Sequence, residues 1–354
     1  MRHRIAFSSL FLCALAACGD PTSLLAPAAS DPSLKRDGAP KQGATTEKQL
    51  LVTGLVETQG SAIGPGGDLF VTANITGSIW RIDPKTGART LFATGLPPRI
   101  RGVGEEDLFY IGAGVVDVAF IGSTAYALVT GVGEDIGGSE VVGIYRIDGP
   151  NSSTIIADIG AWSAANPPPD FFVPTGWQYA IEAYRGGLLV TDGHHNRVLW
   201  VTRDGEITEL IQFGDVVPTG LAVRGNSIYV SQAGPIPHLP ETGKVVTFEP
   251  GSSTATEVAS GIRLAVDVEF GRGRTLFALA QGVWDGPFEG TPAQPNTGAL
   301  MRVNGDGTLT TVVGGLDRPT SVEIIKNTAY VVTLGGEVWR IDDIAGPPFG
   351  HGPR

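Results

Sequence analysis

Short apolar runs alternate with turn residues along most of this chain. Six runs are strongly apolar, at residues 68–72, 124–128, 187–191, 227–231, 275–279 and 328–332. Each is followed by a second run that often ends in Arg-Ile-Asp or a near relative, at 78–82, 143–147, 197–201, 244–248, 299–303 and 337–341. Runs of this length, rich in β-branched and aromatic residues and bounded by Gly, Asp and Asn, predict strands rather than helices. A strand of small residues precedes each pair and a Thr/Val-rich strand follows it, so each unit reads as four strands, A to D. Asp204-Gly205 and Asp306-Gly307 stand between C and D strands, where tight hairpins are expected.

Six such units at a period of about fifty residues predict an all-β fold, a six-bladed β-propeller with four-stranded blades. One four-stranded sheet cannot bury both its faces, but a ring of six can. The last unit ends at Ile341-Asp342 without a D strand. The run from Gln49 to Leu55 reads like Thr311 to Leu316 and supplies it, so the N-terminal strand is expected to complete the last blade and hide two sheet edges. The propeller is expected over residues 49–344, with 345–354 as a C-terminal tail.

The start of the chain belongs to export, not to the fold. Arg2 and Arg4 precede an apolar run from Ile5 to Ala17, too short to span a bilayer. It ends Leu15-Ala16-Ala17-Cys18, which resembles a bacterial lipobox. The expectation is a signal peptide at 1–17, lipidation of Cys18 and a flexible tether to residue 48; the bland alternative is an ordinary cleaved signal with Cys18 incidental. The chain would then be exported and lipid-anchored in the bacterial cell envelope, on the periplasmic side or the cell surface, a monomer touching membrane only through its anchor. Cys13 and Cys18 are the two cysteines, so the body has no disulfide. The net charge is −11 and no Lys/Arg cluster occurs, which argues against nucleic acid and anionic lipid surfaces as partners.

The long insertions at 96–113, 131–142, 159–177, 233–242 and 281–297 all fall in D–A or B–C loops, which open on one face of a propeller. Long ordered loops tend to carry function, although one face can simply tolerate insertion better. Trp162, Phe171, Phe172, Trp177, Trp284 and Phe288 fall in these loops, as the wall of a ligand pocket or as a lid folded on itself. His194, His195 and His238 fall in the B–C loops of blades three and four, where they could bind metal or act as acid and base. Asp192 to Asn196 also reads as a plain turn.

The A strands carry Asp117, Glu182, Asp267, Glu269 and Glu323 at positions that face the channel. Like charges there raise one another's pKa unless something compensates. A calcium-like divalent cation is one solution; backbone hydrogen bonds and channel water are the other.

The stretch Tyr179 to Asp192, then Asn196 to Leu199, with Val116 to Phe120 and Val217 to Val223, resembles the NHL-type propeller repeat and is similar to the exported ScyD/ScyE family, associated with scytonemin biosynthesis. That resemblance implies the fold and carries no catalytic residues. A wider resemblance is to gluconolactonase-like and strictosidine-synthase-like propellers. In the lactonase group it implies a channel ion held by Glu, Asn and Asp. Glu57 has the right place, but the Asn-Gly and Asp-Gly pairs are absent and Thr219-Gly220 stands instead. The sequence thus favours a module that binds a small molecule or an envelope protein on its loop-rich face. A metal-dependent hydrolase or lyase using the channel carboxylates, and a structural adaptor, are the alternatives.

Overall fold

The computed structural model describes residues 46–100, 114–171, 173–286 and 290–345. Six four-stranded antiparallel sheets stand around an axis as a six-bladed propeller. Their innermost strands are Thr58–Ile63, Gly114–Ile121, Gln178–Tyr184, Pro218–Arg224, Ala265–Phe270 and Pro319–Ile325. The apolar runs become second strands buried on both faces, as in Leu69–Ala73 and Gly187–Asp192. Alternate side chains serve opposite neighbours. Phe70 packs toward blade two with Val118 and Tyr145, while Leu69 and Val71 pack toward blade six with Tyr330 and Val338. The core is therefore a set of clusters at the blade interfaces, each contributed by two sheets. No blade could bury its apolar residues without a neighbour on each side, which makes the ring cooperative.

The ring closes as expected. Lys48–Val52 pairs antiparallel with Glu337–Ile341, Leu50 opposite Trp339 and Val52 opposite Val338. Pairing ends at Val52 rather than Leu55 because the register shifts between Leu50 and Val52. Leu55 N–H still bonds Gly336 O at 3.1 Å. Blade one is tied across the seam by Thr58 Oγ1 donating to Thr333 O (2.6 Å) and by a Ser61–Ser321 hydroxyl pair (2.8 Å).

All six innermost strands carry an irregularity in register against their second strands, near their starts at the loop-rich face. Four of them follow a non-glycine residue with positive φ: Glu57, Val217, Leu264 and Arg318. That backbone is strained for a β-branched residue such as Val217. The bend turns each chain sharply into the channel and sets the rim on which a site can be built.

Candidate active site at the mouth of the channel

The irregular strand starts leave backbone N–H groups that their second strands do not satisfy, and two devices take them up. In blades one, three and four a hydroxyl on the second strand does so: Thr72 Oγ1 accepts from Gly60 N (3.0 Å), Thr191 Oγ1 from Ala180 N (2.9 Å) and Ser231 Oγ from Gly220 N (2.8 Å). Blades two and five have leucine there, Leu128 and Leu279, and the innermost strand brings its own acceptor. Asp117 accepts from Val118 N and, on the next blade, from Ile181 N, both at 2.9 Å. Asp267 accepts from Val268 N (2.8 Å) and, on the next blade, from Val322 N (2.7 Å). The two aspartates sit three blades apart, on opposite sides of a six-membered ring. Each overlies a glycine of the preceding blade, Gly60 or Gly220, where a Cβ would collide with the carboxylate.

A second tier lies one step deeper. Glu182, Glu269 and Glu323 are half-buried: they line the channel, where water reaches them, but protein surrounds them. Burial, with the Asp267 charge added, pushes Glu182 up to about 7. Burial also pushes Asp267 up to about 7, against its backbone hydrogen bonds. Asp117, Glu269 and Glu323 lie well above the usual carboxylate range, through burial first and then through the charges of neighbouring carboxylates, Asp267 and Glu182 among them for all three. Among the described residues, no three His, Cys, Asp or Glu side chains gather closely enough to hold a metal ion. Both oxygens of Asp117 and of Asp267 are engaged by backbone N–H groups. Glu57 pairs with Arg99 at 2.8 Å.

Above the aspartates, on the loop-rich face, the channel opens into a cavity of about 70 Å³. Room for a single water takes about 10–15 Å³ on this measure, so the slot holds roughly five heavy atoms. His194, His238, Tyr179, Gln59 and Gln281 line it, with Asp117 and Asp267 in its floor. His194 Nε2 meets the Tyr179 hydroxyl at 3.1 Å, and its ring stacks on Trp177 at 5.8 Å between centroids. Burial pushes His194 down to about 4, so it is neutral at physiological pH. His238 also lies below its ordinary value, through burial, and lies edge-on to Trp284. Its Nδ1 lies 2.7 Å from Gly234 O, and since a carbonyl only accepts, Nδ1 carries the proton and Nε2 is the basic nitrogen. Two amides reach the cavity with a buried atom that has no hydrogen-bond partner, Gln59 Oε1 and Gln281 Nε2. A buried unpaired amide costs about 1–3 kcal/mol, which a bound ligand or water recovers.

The candidate residues thus divide. His194, His238, Trp177 and Trp284 converge at the mouth. His195 does not: it is fully buried, with Nδ1 2.9 Å from Asp192 and Nε2 2.9 Å from Val173 O. Trp162 covers Arg197, 4.8 Å from ring centroid to guanidinium. Both belong to the anchor of the loop at 159–177. Phe171 is 43% exposed beside the mouth, edge-on to His195. Phe172 and Phe288 lie outside the described residues. Tyr179, Gln59 and Gln281 complete the site without having stood out in the sequence. The signal that could have found them is positional: Gln59 and Tyr179 both immediately precede the upper-tier residue of their strand.

No protein-family model and no curated protein matches the chain. Solved structures with the same fold include a putative oxidoreductase (glucose dehydrogenase) from Thermus thermophilus, at 18% identity and TM-score 0.58 over 84% of this chain and 99% of that one. The PQQ-bound aldose sugar dehydrogenase of Streptomyces coelicolor aligns at 16% identity and TM-score 0.56, over 84% of this chain and 98% of that one. A gluconolactonase from Xanthomonas campestris aligns at 12% and 0.57, over 84% and 89%. At these identities the likeness establishes the six-bladed fold.

Proposed function

We propose that the chain is a small-molecule hydrolase whose reaction takes place in the axial slot. The observation that carries this is the meeting of a neutral histidine with a fixed tautomer, His238, and a His194–Tyr179 hydrogen-bonded pair over the axial cavity. The substrate is an ester or lactone. His238 Nε2 takes a proton from water as the water oxygen bonds the acyl carbon. The Tyr179 hydroxyl donates to the carbonyl oxygen as negative charge grows there. The bond from acyl carbon to alkoxy oxygen then breaks, and that oxygen receives the proton from His238, leaving an acid and an alcohol. A base so placed contributes roughly 10²- to 10⁴-fold.

The structural neighbours support enzymatic use of this fold and limit the choice among them. PQQ is a tricarboxylate, and among the described residues no Lys or Arg lines the slot, so the described lining does not suit it. The ScyD/ScyE resemblance rests on blade motifs and adds no chemistry to the slot. The leader and Cys18 support an enzyme tethered in the cell envelope, which radiolabelled palmitate incorporation lost in Cys18→Ser tests.

Short chromogenic esters and γ-lactones assayed between pH 5 and 9 test the reaction. Turnover holds above pH 7 and declines below the ordinary imidazole range as His238 takes a proton. His238→Gln lowers kcat at least 10²-fold. Binding without turnover, equal in wild type and His238→Gln, makes the chain a binding module instead.

A further inference from the structure

The axial slot does not stand alone. A second cavity, of about 670 Å³, runs outward over the seam between blades three and four. His194 and Val217 line both, so the two adjoin. The apolar wall of the outer groove is Phe171, Phe213, Pro235 and Ile236, and Asn196 and Gln212 add polar lining. Phe171 and Ile236 remain 43% and 44% exposed, an unusual state for two large apolar side chains facing one groove. Among the described residues the ionisable groups along it are Asp170, Asp215 and the neutral His194, and no Lys or Arg lines either cavity. Its volume falls within the range of drug-sized ligand sites, about 300–1,000 Å³.

Two adjoining spaces of such different size and chemistry suit a molecule with two parts. The inner slot holds roughly five heavy atoms, the size of a lactone ring or ester group and too few for a hexose. The outer groove offers apolar walls and an acidic rim, which rejects an anionic tail. Resting on the hydrolytic reading of the slot, we infer that the substrate is a small lactone or ester bearing a long, apolar, non-anionic substituent. The head reaches His194 and His238, and the substituent lies along Phe171, Phe213, Pro235 and Ile236. His194, held by Trp177 and Tyr179, stands where the two spaces adjoin.

A homologous set of γ-lactones tests this: methyl, butyl and octyl substituents at the ring carbon bearing oxygen, with an octyl analogue ending in carboxylate. Binding is read by calorimetry and by Trp fluorescence, since Trp177 and Trp284 stand at the slot. Each methylene buried in the groove is worth about 0.8 kcal/mol, roughly fourfold in affinity. The butyl lactone is expected to bind on the order of 50-fold more tightly than the methyl lactone, and the carboxylate analogue at least tenfold more weakly than its neutral partner. The butyl-to-methyl ratio falls toward one in Phe171→Ser/Ile236→Ser. It also falls in Ile236→Trp, which fills the groove without removing apolar surface. Equal affinity for methyl and octyl lactones, with turnover intact, overturns the bipartite substrate and leaves the hydrolytic slot standing. If no lactone of any length is bound or turned over, both readings fall.

Discussion

Two groups of buried carboxylates in this propeller meet opposite fates. Asp192 lies at the end of the second strand of blade three, fully buried among charged partners. Its Oδ2 receives Arg197 Nε at 2.8 Å and stands 2.9 Å from His195 Nδ1; its Oδ1 receives Gln178 Nε2 at 2.8 Å. Burial alone would raise its pKa, but the hydrogen bonds and charges of His195 and Arg197 outweigh it and hold Asp192 below the usual carboxylate range. The channel carboxylates, on the innermost strands of blades two, three, five and six, are all five pushed upward. Burial raises or lowers a carboxylate according to the partner supplied, and the two outcomes serve different ends. The paired group holds a loop in place. The unpaired ring leaves the channel floor largely uncharged, which suits a slot for a neutral head group.

The loop anchor is the most fragile part of this comparison. Arg197 donates to Asn166 O at 2.8 Å and to Ser163 Oγ at 3.0 Å besides Asp192, so one side chain joins the helix Ile159–Ala165 to the blade. Arg197→Met keeps the volume and removes every one of these bonds. Leaving Asp192 buried with one charged partner fewer costs about 3–5 kcal/mol. Denaturant melts read the loss, and hydrogen exchange localises it to residues 159–177. A change below 1 kcal/mol would mean that the pair contributes specificity rather than stability.

A smaller effect probes the unpaired group from its packing side. Gly220 lies beneath Asp267, where a Cβ would meet both the carboxylate and the Asp267 backbone. Gly220→Ala therefore displaces the residue that bonds Val322 N, and overpacking of this kind costs about 1–3 kcal/mol. Gly225→Ala, at a turn with open space around it but positive φ, separates backbone strain from collision. The comparison holds if Gly220→Ala also weakens the blade five to blade six contact, read as faster exchange at the Val322 amide.

These contrasts explain what the sequence could and could not disclose. The six blades and the closing strand were legible because each interface needs the same apolar alternation, so Leu69 to Ala73 and its five counterparts repeat visibly. The site was legible only by region. Adjacent His194 and His195 carry the same letter, yet one lines the slot and the other is locked to Asp192 and Val173 O, the latter 22 residues away. The channel aspartates were visible, but their role as acceptors for N–H groups of the next blade was not, because it depends on irregular strand starts that no residue type announces. Glu57 fitted the lactonase pattern by position and pairs with Arg99 in the fold.

The smallest expected effect tests the electrostatic half of the comparison most directly. Glu182 titrates near 7 in the folded chain and near its ordinary value of 4.5 when unfolded. Between those values the folded state binds more protons, so stability declines as pH rises through that window and levels off above it. Glu182→Gln removes this penalty. It should raise stability at pH 8 by on the order of 1 kcal/mol, the shift being discounted because channel water screens the group. At pH 4 the substitution should do almost nothing, since the folded carboxyl is already protonated there. The anchor runs the other way: with Asp192 below the usual range, its contribution is present above the unfolded pKa and is lost as pH falls through the folded one. Thermal melts of wild type and Glu182→Gln from pH 4 to 8 should therefore converge at the acid end and separate at the neutral end. Parallel curves would mean that Glu182 keeps its ordinary carboxylate pKa in the folded chain, and that the channel floor is charged at neutral pH after all.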